Sequence, residues 1–293
     1  MPERLPDNLA KLYDAFGADL IDSIGTGDTF EIDGVEFVCQ YRPESTADRF
    51  YIVKTPALIE RYREVSRRNK GGVFFELGIA EGGSTALLAL EAEPRRLIAI
   101  DLEPRPLDAL AELIDRRGLG DSVRPHYGVD QSDRARLHQI VADDLGGEPI
   151  DVVFDDCSHN LDLTRASFDA LFPFLAPGGI YVIEDWNNDL VYREAFAAAL
   201  RDPDSPVRTD LADAIRESLR ERGTLASAPE PPPLARLALE LSLACATASD
   251  VVAGVTVDEH WITVRRGTGE VPADTFTLQG LYVDHFRLLG PSG

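Results

Sequence analysis

The stretch "GGVFFELGIAEGGSTALLALEA" at residues 71–92 decides the fold. Its residues 72–77 are apolar apart from Glu76 and predict a buried strand. Glycines follow at once, and Ser84 then opens a segment with helical spacing. The stretch therefore predicts a strand, a tight glycine-rich turn and a helix.

The same order of strand and helix recurs on the C-terminal side. "RLIAIDL" (96–102) predicts a second strand, and "PLDALAELIDRRG" predicts a helix that ends at Gly118. "IDVVFDD" and "GIYVIED" predict two more strands, separated by apolar residues at helical spacing, and "VRPHYG" predicts a short one. This alternation indicates an α/β fold with a doubly wound, Rossmann-like sheet, whose ligands bind at the C-terminal ends of the strands. Two runs of alternating apolar and polar residues at 251–267, with a turn at Asp258-Glu259, predict a terminal antiparallel hairpin.

Three segments lie outside this alternation. The N-terminal part predicts a helix and a hairpin around Asp33-Gly34. After Asp185 the chain predicts helices interrupted by the proline-rich "ASAPEPPPL", and we interpret this insertion as a candidate lid. The predicted organisation is an appendage at 1–50, a main domain at 51–267 with a helical insertion at about 186–250, and a tail at 268–293.

Composition limits the classes of function. The 51 acidic and 29 basic residues give a net charge of −22, which repels nucleic acid and anionic membrane surfaces. The three cysteines form no CxxC pair, which disfavours a disulfide framework or a zinc site and suits a reducing compartment. No apolar run is typical of a signal peptide or a membrane span. We expect a cytoplasmic protein with neither a nucleic-acid nor a membrane partner.

The glycine-rich turn predicts a site for a nucleotide-like ligand. Glycines at 78 and 82 allow a tight turn, and the helix that opens at Ser84 presents free amide groups. The spacing is neither GxGxxG nor a P-loop, and Glu76 would repel a pyrophosphate. Glu76 would instead attract an amino or sulfonium group. Asp101 ends the next strand, where an acidic residue accepts hydrogen bonds from a ribose, and Asp130 and Gln131 are candidates for an adenine edge.

Paired carboxylates end two further strands. Asp155-Asp156 and Glu184-Asp185 would meet at one edge of the sheet if their strands are neighbours. Like charges at close range need a counter-charge. Ligation by oxygen atoms alone suits magnesium. His159 follows the first pair closely enough to reach the same edge.

The order ELGxxxGGS, IAID, DQSD and PGGxYVIED resembles the class I S-adenosylmethionine-dependent methyltransferases over roughly residues 70–186. The resemblance implies that S-adenosylmethionine is bound by Glu76, Gly78, Asp101 and the Asp130-Gln131 pair, with Gly82 and Ser84 in the same turn. Asp155 is either a further cofactor contact or an acceptor of internal hydrogen bonds at the strand end.

"DDCSHN" followed by "LFPFLAPGGIYVIED" resembles the metal-dependent subgroup that methylates sugar hydroxyls, such as the macrocin and mycinamicin O-methyltransferases, and their cephalosporin hydroxylase relatives. This resemblance implies Mg²⁺ bound by Asp156, Glu184 and Asp185, with His159 as the general base. It also implies an acceptor that is a saccharide or a glycosylated small molecule. Cys157 stands where the subgroup usually has glycine.

Other functions stay open at this stage. The same metal chemistry would serve methylation of a catechol or another small diol, for which Trp186 is the single evident aromatic clamp. A non-catalytic relative would keep the cofactor cleft alone, and a nicotinamide-dependent oxidoreductase is a weaker third alternative. The N-terminal hairpin is a candidate contact surface for a homo-oligomer.

Overall fold

The computed structural model describes residues 25–40, 45–187, 233–284 and 289. Its centre is a seven-stranded mixed sheet with the order β6-β5-β4-β7-β8-β10-β9. The first five strands are parallel, whereas β10 is antiparallel to both β8 and β9. The described part of the chain also has six α-helices. This arrangement confirms the predicted doubly wound α/β sheet with a terminal antiparallel hairpin.

The elements alternate as the sequence predicts. The strands are β1 (Gly25–Ile32), β2 (Val35–Gln40), β3 (Arg49–Tyr51), β4 (Val73–Leu77), β5 (Arg96–Asp101), β6 (Val123–Tyr127), β7 (Ile150–Asp155), β8 (Leu175–Glu184), β9 (Val252–Val257) and β10 (Trp261–Arg266). The α-helices are α1 (Pro56–Arg68), α2 (Gly83–Glu91), α3 (Asp108–Arg117), α4 (Arg134–Leu145), α5 (Leu161–Leu171) and α6 (Arg236–Thr247). Short 3₁₀ turns lie at Phe172–Phe174 and Leu278–Leu281.

The central strand β4 shows why the sheet is covered on both faces. All five of its residues are buried. Successive side chains of a strand point to opposite faces, and Phe74 accordingly packs in one apolar cluster while Phe75 packs in the other. Helices or loops therefore cover both faces, as in a parallel sheet.

A smaller sheet covers part of one face. The predicted hairpin is present, with β1 and β2 joined at Asp33-Gly34, where both residues have positive φ. β3 pairs parallel to β2. Phe37 and Phe50 are fully buried in the apolar cluster that includes Phe74. The helix predicted before the hairpin falls outside the described residues.

Helix α6 belongs to the predicted insertion, yet it packs on the main core. Leu237 and Leu241 have no exposed surface and lie in the apolar cluster on the other face of the sheet. Residues 188–232, which carry the rest of the candidate lid, fall outside the described residues. The domain boundaries stay a prediction. None of the helices in the described part of the chain has the length and apolarity needed to cross a bilayer.

The strand register brings the predicted site residues to one edge. Leu77 at the end of β4 pairs with Asp155 at the end of β7, and Asp155 pairs with Ile183 of β8. The backbone N–H of Asp156 donates to the Leu77 carbonyl at 3.0 Å. The glycine-rich turn and both acidic pairs are therefore neighbours at the C-terminal edge of the sheet.

Candidate active site

The glycine-rich turn lies directly against the loop that carries Asp156. Gly78 has φ +100°, and a Cβ atom at this position would lie 2.2 Å from the Asp156 carbonyl oxygen. Gly82 has φ +80° and precedes α2. Because L side chains rarely adopt these φ angles, glycine is required at both places. The turn therefore places the N-terminus of α2 beside the acidic edge.

Glu76 is buried below this turn. Its Oε2 accepts a hydrogen bond from Thr85 Oγ1 at 2.6 Å, and the residue is 1% exposed. Burial raises the pKa of Glu76 to about 7, although the hydroxyls of Ser84 and Thr85 act in the opposite direction. A bound cation would favour the ionised form and lower this pKa. Ser84 thus contacts Glu76 in the described structure.

Asp101 orders the same turn from the end of β5. Its Oδ2 accepts from the backbone N–H groups of Ile79 and Ala80, both at 2.9 Å, and Oδ1 accepts from Glu103 N at 2.8 Å. A carboxylate has about four acceptor positions, so one is left for a ribose hydroxyl. Glu81, which sequence reasoning missed, lies beside it. Burial and the charge of Asp101 raise the pKa of Glu81 to about 7.

The structure does not support the adenine contact predicted for Gln131. Gln131 is only 4% exposed. Its Oε1 accepts from Ser158 N at 3.1 Å, and its Nε2 donates to Ser167 Oγ at 3.2 Å. Asp130 is exposed and accepts from the amide and hydroxyl of Ser132. Gln131 therefore holds the loop before α5, and we do not retain it as a cofactor ligand.

Asp155 accepts internal hydrogen bonds at the strand end, which is the second of the two interpretations given above. Its Oδ2 accepts from Ser167 Oγ at 2.6 Å and from Tyr181 Oη at 2.8 Å, and the residue is 2% exposed. Burial raises the pKa of Asp155 to about 6. Asp155 is thus an internal hydrogen-bond acceptor at the end of β7, and the predicted cofactor contact is not retained.

Asp156, His159 and Asp185 form one cluster. Their potential ligand atoms all lie within 4.8 Å of one another. His159 Nε2 lies 3.8 Å from Asp156 Oδ1 and 3.9 Å from Asp185 Oδ2. His159 and Asp185 both have positive φ, at 50° and 56°. Non-glycine residues adopt this conformation at a free-energy cost, which is common at functional sites.

Glu184 lies apart from this cluster, in contrast to the sequence-based expectation. Its Oε1 accepts from Lys54 Nζ at 2.5 Å, and its Oε2 accepts from Tyr62 Oη at 2.8 Å and Trp261 Nε1 at 3.1 Å. Burial and the neighbouring Asp156 raise the pKa of Glu184. Three donors from the protein therefore satisfy the carboxylate that was predicted to bind metal.

Lys54 contacts both acidic pairs, although no motif of the sequence indicates it. It is buried, and Nζ also donates to Asp156 Oδ2 at 2.7 Å. Although burial alone would lower it, the charges of Asp156 and Glu184 raise the pKa of Lys54. Lys54 and His159 in turn lower the pKa of Asp156 against the effect of burial. One signal was available: a lysine directly follows the apolar run "FYIV" at residues 50–53, in a chain with clustered carboxylates.

Trp186 contributes to packing in the described structure. Its Nε1 donates to the Asp258 carbonyl at 2.8 Å, and its ring packs on the apolar core. Asp258 also accepts two hydrogen bonds from Arg61, both at 2.7 Å, which lower the pKa of its carboxyl to about 2. The residue that would clamp an aromatic acceptor is thus fixed against the β9–β10 turn.

The replacement Glu76→Gln is expected to stabilise the fold above neutral pH. The pKa of Glu76 is about 7 in the folded protein, above the ordinary value of 4.5. Above pH 4.5, folding must therefore either protonate Glu76 or bury its charge. The free energy of unfolding consequently falls as pH rises from about 4.5 to 7. Glutamine removes this penalty, which is worth about 3 kcal/mol at pH 8. Urea unfolding at pH 5 and pH 8 would measure the difference.

The exposed Glu270 offers the matched control, because Glu270→Gln changes the same group on the surface. We expect no stabilisation from it at either pH. Equal stabilities of Glu76→Gln and the wild type at pH 8 would contradict a buried, destabilising carboxylate.

The glycine-rich turn and the acidic cluster lie within a segment that matches a known family. Residues 75–186 match the family model described as a methyltransferase domain. They include the glycine-rich turn, Asp101, the Asp156–His159 loop and Asp185. This segment is therefore similar to the methyltransferase domains of that family.

Individual relatives extend the comparison. The rhamnosyl tetracenomycin-C 2'-O-methyltransferase of Streptomyces olivaceus is 41% identical over 91 residues, which are 26% of this chain and 24% of that protein. Demethylmacrocin O-methyltransferase of Streptomyces fradiae is 48% identical over 74 residues, 20% of this chain and 19% of that protein. The chain thus spans less than a quarter of the length of either relative.

A solved structure, the MycE methyltransferase in complex with Mg and SAH, is 22% identical to this chain. Its TM-score is 0.45, and the match covers 74% of this chain and 51% of that protein.

Proposed function

We propose that the protein transfers a methyl group from S-adenosylmethionine to a sugar hydroxyl of a glycosylated small molecule. One observation carries the proposal: Gly78 of the cofactor turn packs on the backbone of Asp156, whose side chain lies with His159 and Asp185 in a single cluster. The donor site and the acid–base cluster are therefore adjacent. A methyl group must pass directly from sulfur to oxygen, which requires such adjacency.

The cofactor would be bound by the turn and its acidic neighbours. Glu76 lies beneath the turn and suits a cationic amino or sulfonium group, and Asp101 keeps an acceptor position for a ribose hydroxyl. Glu81 adds a second carboxyl group beside Asp101. Ionised carboxyl groups here would favour the cationic donor over neutral S-adenosylhomocysteine, which assists product release.

His159 is the proposed general base. The acceptor oxygen attacks the methyl carbon as the carbon–sulfur bond breaks, and its proton passes to His159 Nε2 and then to water. Asp156 and Asp185 flank this nitrogen at 3.8 and 3.9 Å, where they stabilise the imidazolium that forms. General base catalysis contributes about 10²-fold to 10⁴-fold in typical enzymes.

The cluster also fits a divalent cation. Asp156 and Asp185 offer carboxylate oxygens, with ligand atoms close enough for one ion, and hard cations such as Mg²⁺ prefer oxygen ligands. We propose these two aspartates as the protein ligands. A bound Mg²⁺ would lower the pKa of the acceptor hydroxyl and orient it.

The activities for which the relatives are named support the acceptor class. The tetracenomycin enzyme is named for a rhamnosyl compound, and a further relative from Streptomyces antibioticus, 38% identical over 82 residues, is named L-olivosyl-oleandolide 3-O-methyltransferase. The net charge of −22 suits a neutral acceptor better than a phosphate-rich one. The anchored Trp186 gives no support to a catechol acceptor.

The function is tested with paired acceptors, each glycosylated macrolide or aromatic polyketide being compared with its own aglycone. The purified protein is incubated with S-adenosylmethionine and Mg²⁺, and S-adenosylhomocysteine and the methylated product are measured by mass spectrometry. We expect a product carrying one added methyl group on the sugar from the glycoside, and none from the aglycone. Equal methylation of an aglycone or a catechol would refute the acceptor class, and calorimetric binding of S-adenosylmethionine without turnover on any acceptor would favour a non-catalytic protein.

A further inference from the structure

Glu184 lies in a buried polar cluster next to the acid–base cluster. Glu184 is 3% exposed, and Lys54, Tyr62 and Trp261 donate to its two oxygens. The ammonium group of Lys54 also lies over the ring of Tyr62, 4.8 Å from its centroid. The aromatic rings of Tyr62, Phe154 and Trp261 pack against one another, with centroids 4.5 to 5.8 Å apart. Glu184 is therefore held by side chains that are themselves fixed by packing.

Lys54 divides the acidic edge into two parts. Its Nζ joins Glu184 Oε1 to Asp156 Oδ2. The other oxygen of Asp156, Oδ1, is the one that lies 3.8 Å from His159 Nε2. One oxygen of Asp156 thus accepts from the Lys54 ammonium and the other faces His159. Both oxygens of Glu184 instead accept from Lys54, Tyr62 and Trp261.

The charges are consistent with this division. Asp156, Glu184 and Asp185 carry three negative charges when ionised, and Lys54 neutralises one of them. Two charges are left, which one divalent cation would balance. A cation bound by all three carboxylates would instead have to displace a buried ammonium from two hydrogen bonds at 2.5 and 2.7 Å.

We propose that Lys54 is a resident cation that takes the place of the metal at Glu184, so that the divalent ion is bound by Asp156 and Asp185 alone. The inference rests on the metal-assisted function proposed above and makes Lys54 a positioning residue. Its ammonium orients the Asp156 carboxylate and withholds Glu184 from the metal. The expected result is a site with two carboxylate ligands, which binds divalent ions more weakly than a site with three.

Mn²⁺ binding, measured by electron paramagnetic resonance on the purified protein, tests this assignment independently of activity. We expect Glu184→Gln to weaken Mn²⁺ binding by less than about 10-fold and Asp185→Asn, the matched control, by at least about 100-fold. Lys54→Gln should release Glu184 toward the ion and tighten Mn²⁺ binding by at least about 10-fold. The double variant Lys54→Gln/Glu184→Gln should return the affinity to that of the wild type.

The outcomes separate this inference from the function on which it rests. Loss of Mn²⁺ binding in Glu184→Gln to the extent seen in Asp185→Asn would make Glu184 a ligand and overturn the inference alone. A wild-type protein that binds no Mn²⁺ would overturn the metal part of the proposed function together with it. Because Lys54→Gln leaves two buried carboxylates without their partner and is at risk of unfolding, circular dichroism accompanies each measurement. The comparison of Glu184→Gln with Asp185→Asn decides the question even if Lys54→Gln does not fold.

Discussion

Replacement of Asp156 by asparagine is expected to reduce kcat by at least about 10²-fold, because this side chain joins the two parts of the site. One of its oxygens accepts from Lys54 and the other faces His159. Asparagine keeps the shape but removes the charge that would bind a divalent ion and stabilise an imidazolium. Steady-state kinetics with a methylated glycoside as product, together with Mn²⁺ titration, would measure both losses.

The adjacent Asp155 provides the control. Its carboxylate is turned into the core, where it accepts from Ser167 and Tyr181. We expect Asp155→Asn to keep Mn²⁺ affinity within a few-fold of the wild type and to change mainly the stability of the fold. If instead Asp155→Asn lost Mn²⁺ binding while Asp156→Asn kept it, the assignment of roles to the two aspartates would be wrong.

Replacement of His159 by alanine is expected to lower kcat by about 10²-fold to 10⁴-fold, with little effect on the binding of S-adenosylmethionine. The structure places Nε2 between the two aspartates and on the same edge as the cofactor turn. An enzyme that lacks only the imidazole of its general base is a candidate for chemical rescue. Added imidazole should therefore restore part of the rate to His159→Ala and leave the wild type unchanged.

The same variant separates a base from a metal ligand. A base predicts that His159→Ala binds Mn²⁺ about as tightly as the wild type, whereas a ligand predicts a loss comparable to that of Asp185→Asn. His159→Ala with an undiminished rate would contradict both roles.

The sheet and the position of the site follow from local patterns. The run around Glu76 is buried because it is the central strand, and Gly118 ends α3 with φ +64°, as a helix C-cap requires. Strands that end in carboxylates place those groups at one edge once the sheet is parallel. The meeting of Asp156 with Asp185 could therefore be predicted before any coordinates.

Lys54 could not be placed in this way. It is 102 residues from Asp156 and 130 from Glu184 along the chain, and it precedes helix α1. Its burial depends on how α1 and the smaller sheet pack over the strand ends, which is a tertiary property. In isolation a lysine in an acidic chain is most often solvated.

Motif resemblance also fails to specify where a side chain points. Gln131 and Asp155 stand at the expected positions of the motifs, but both are turned into one hydrogen-bonded group that includes Ser167. In each case a partner from α5 completes the contact. The order of the motifs predicts which segments lie near one another. Contacts with the adjacent helix α5 determine which of their residues stay available to a ligand.

The most direct test of the central claim is a crystal grown with Mn²⁺ and S-adenosylhomocysteine, in which anomalous scattering locates the ion. We expect an anomalous peak within about 2.0–2.3 Å of one carboxylate oxygen of Asp156 and one of Asp185, with His159 facing the cofactor sulfur and Lys54 still bonded to Glu184. An ion that contacts neither aspartate, or a cofactor bound away from the turn at Gly78, would contradict the account.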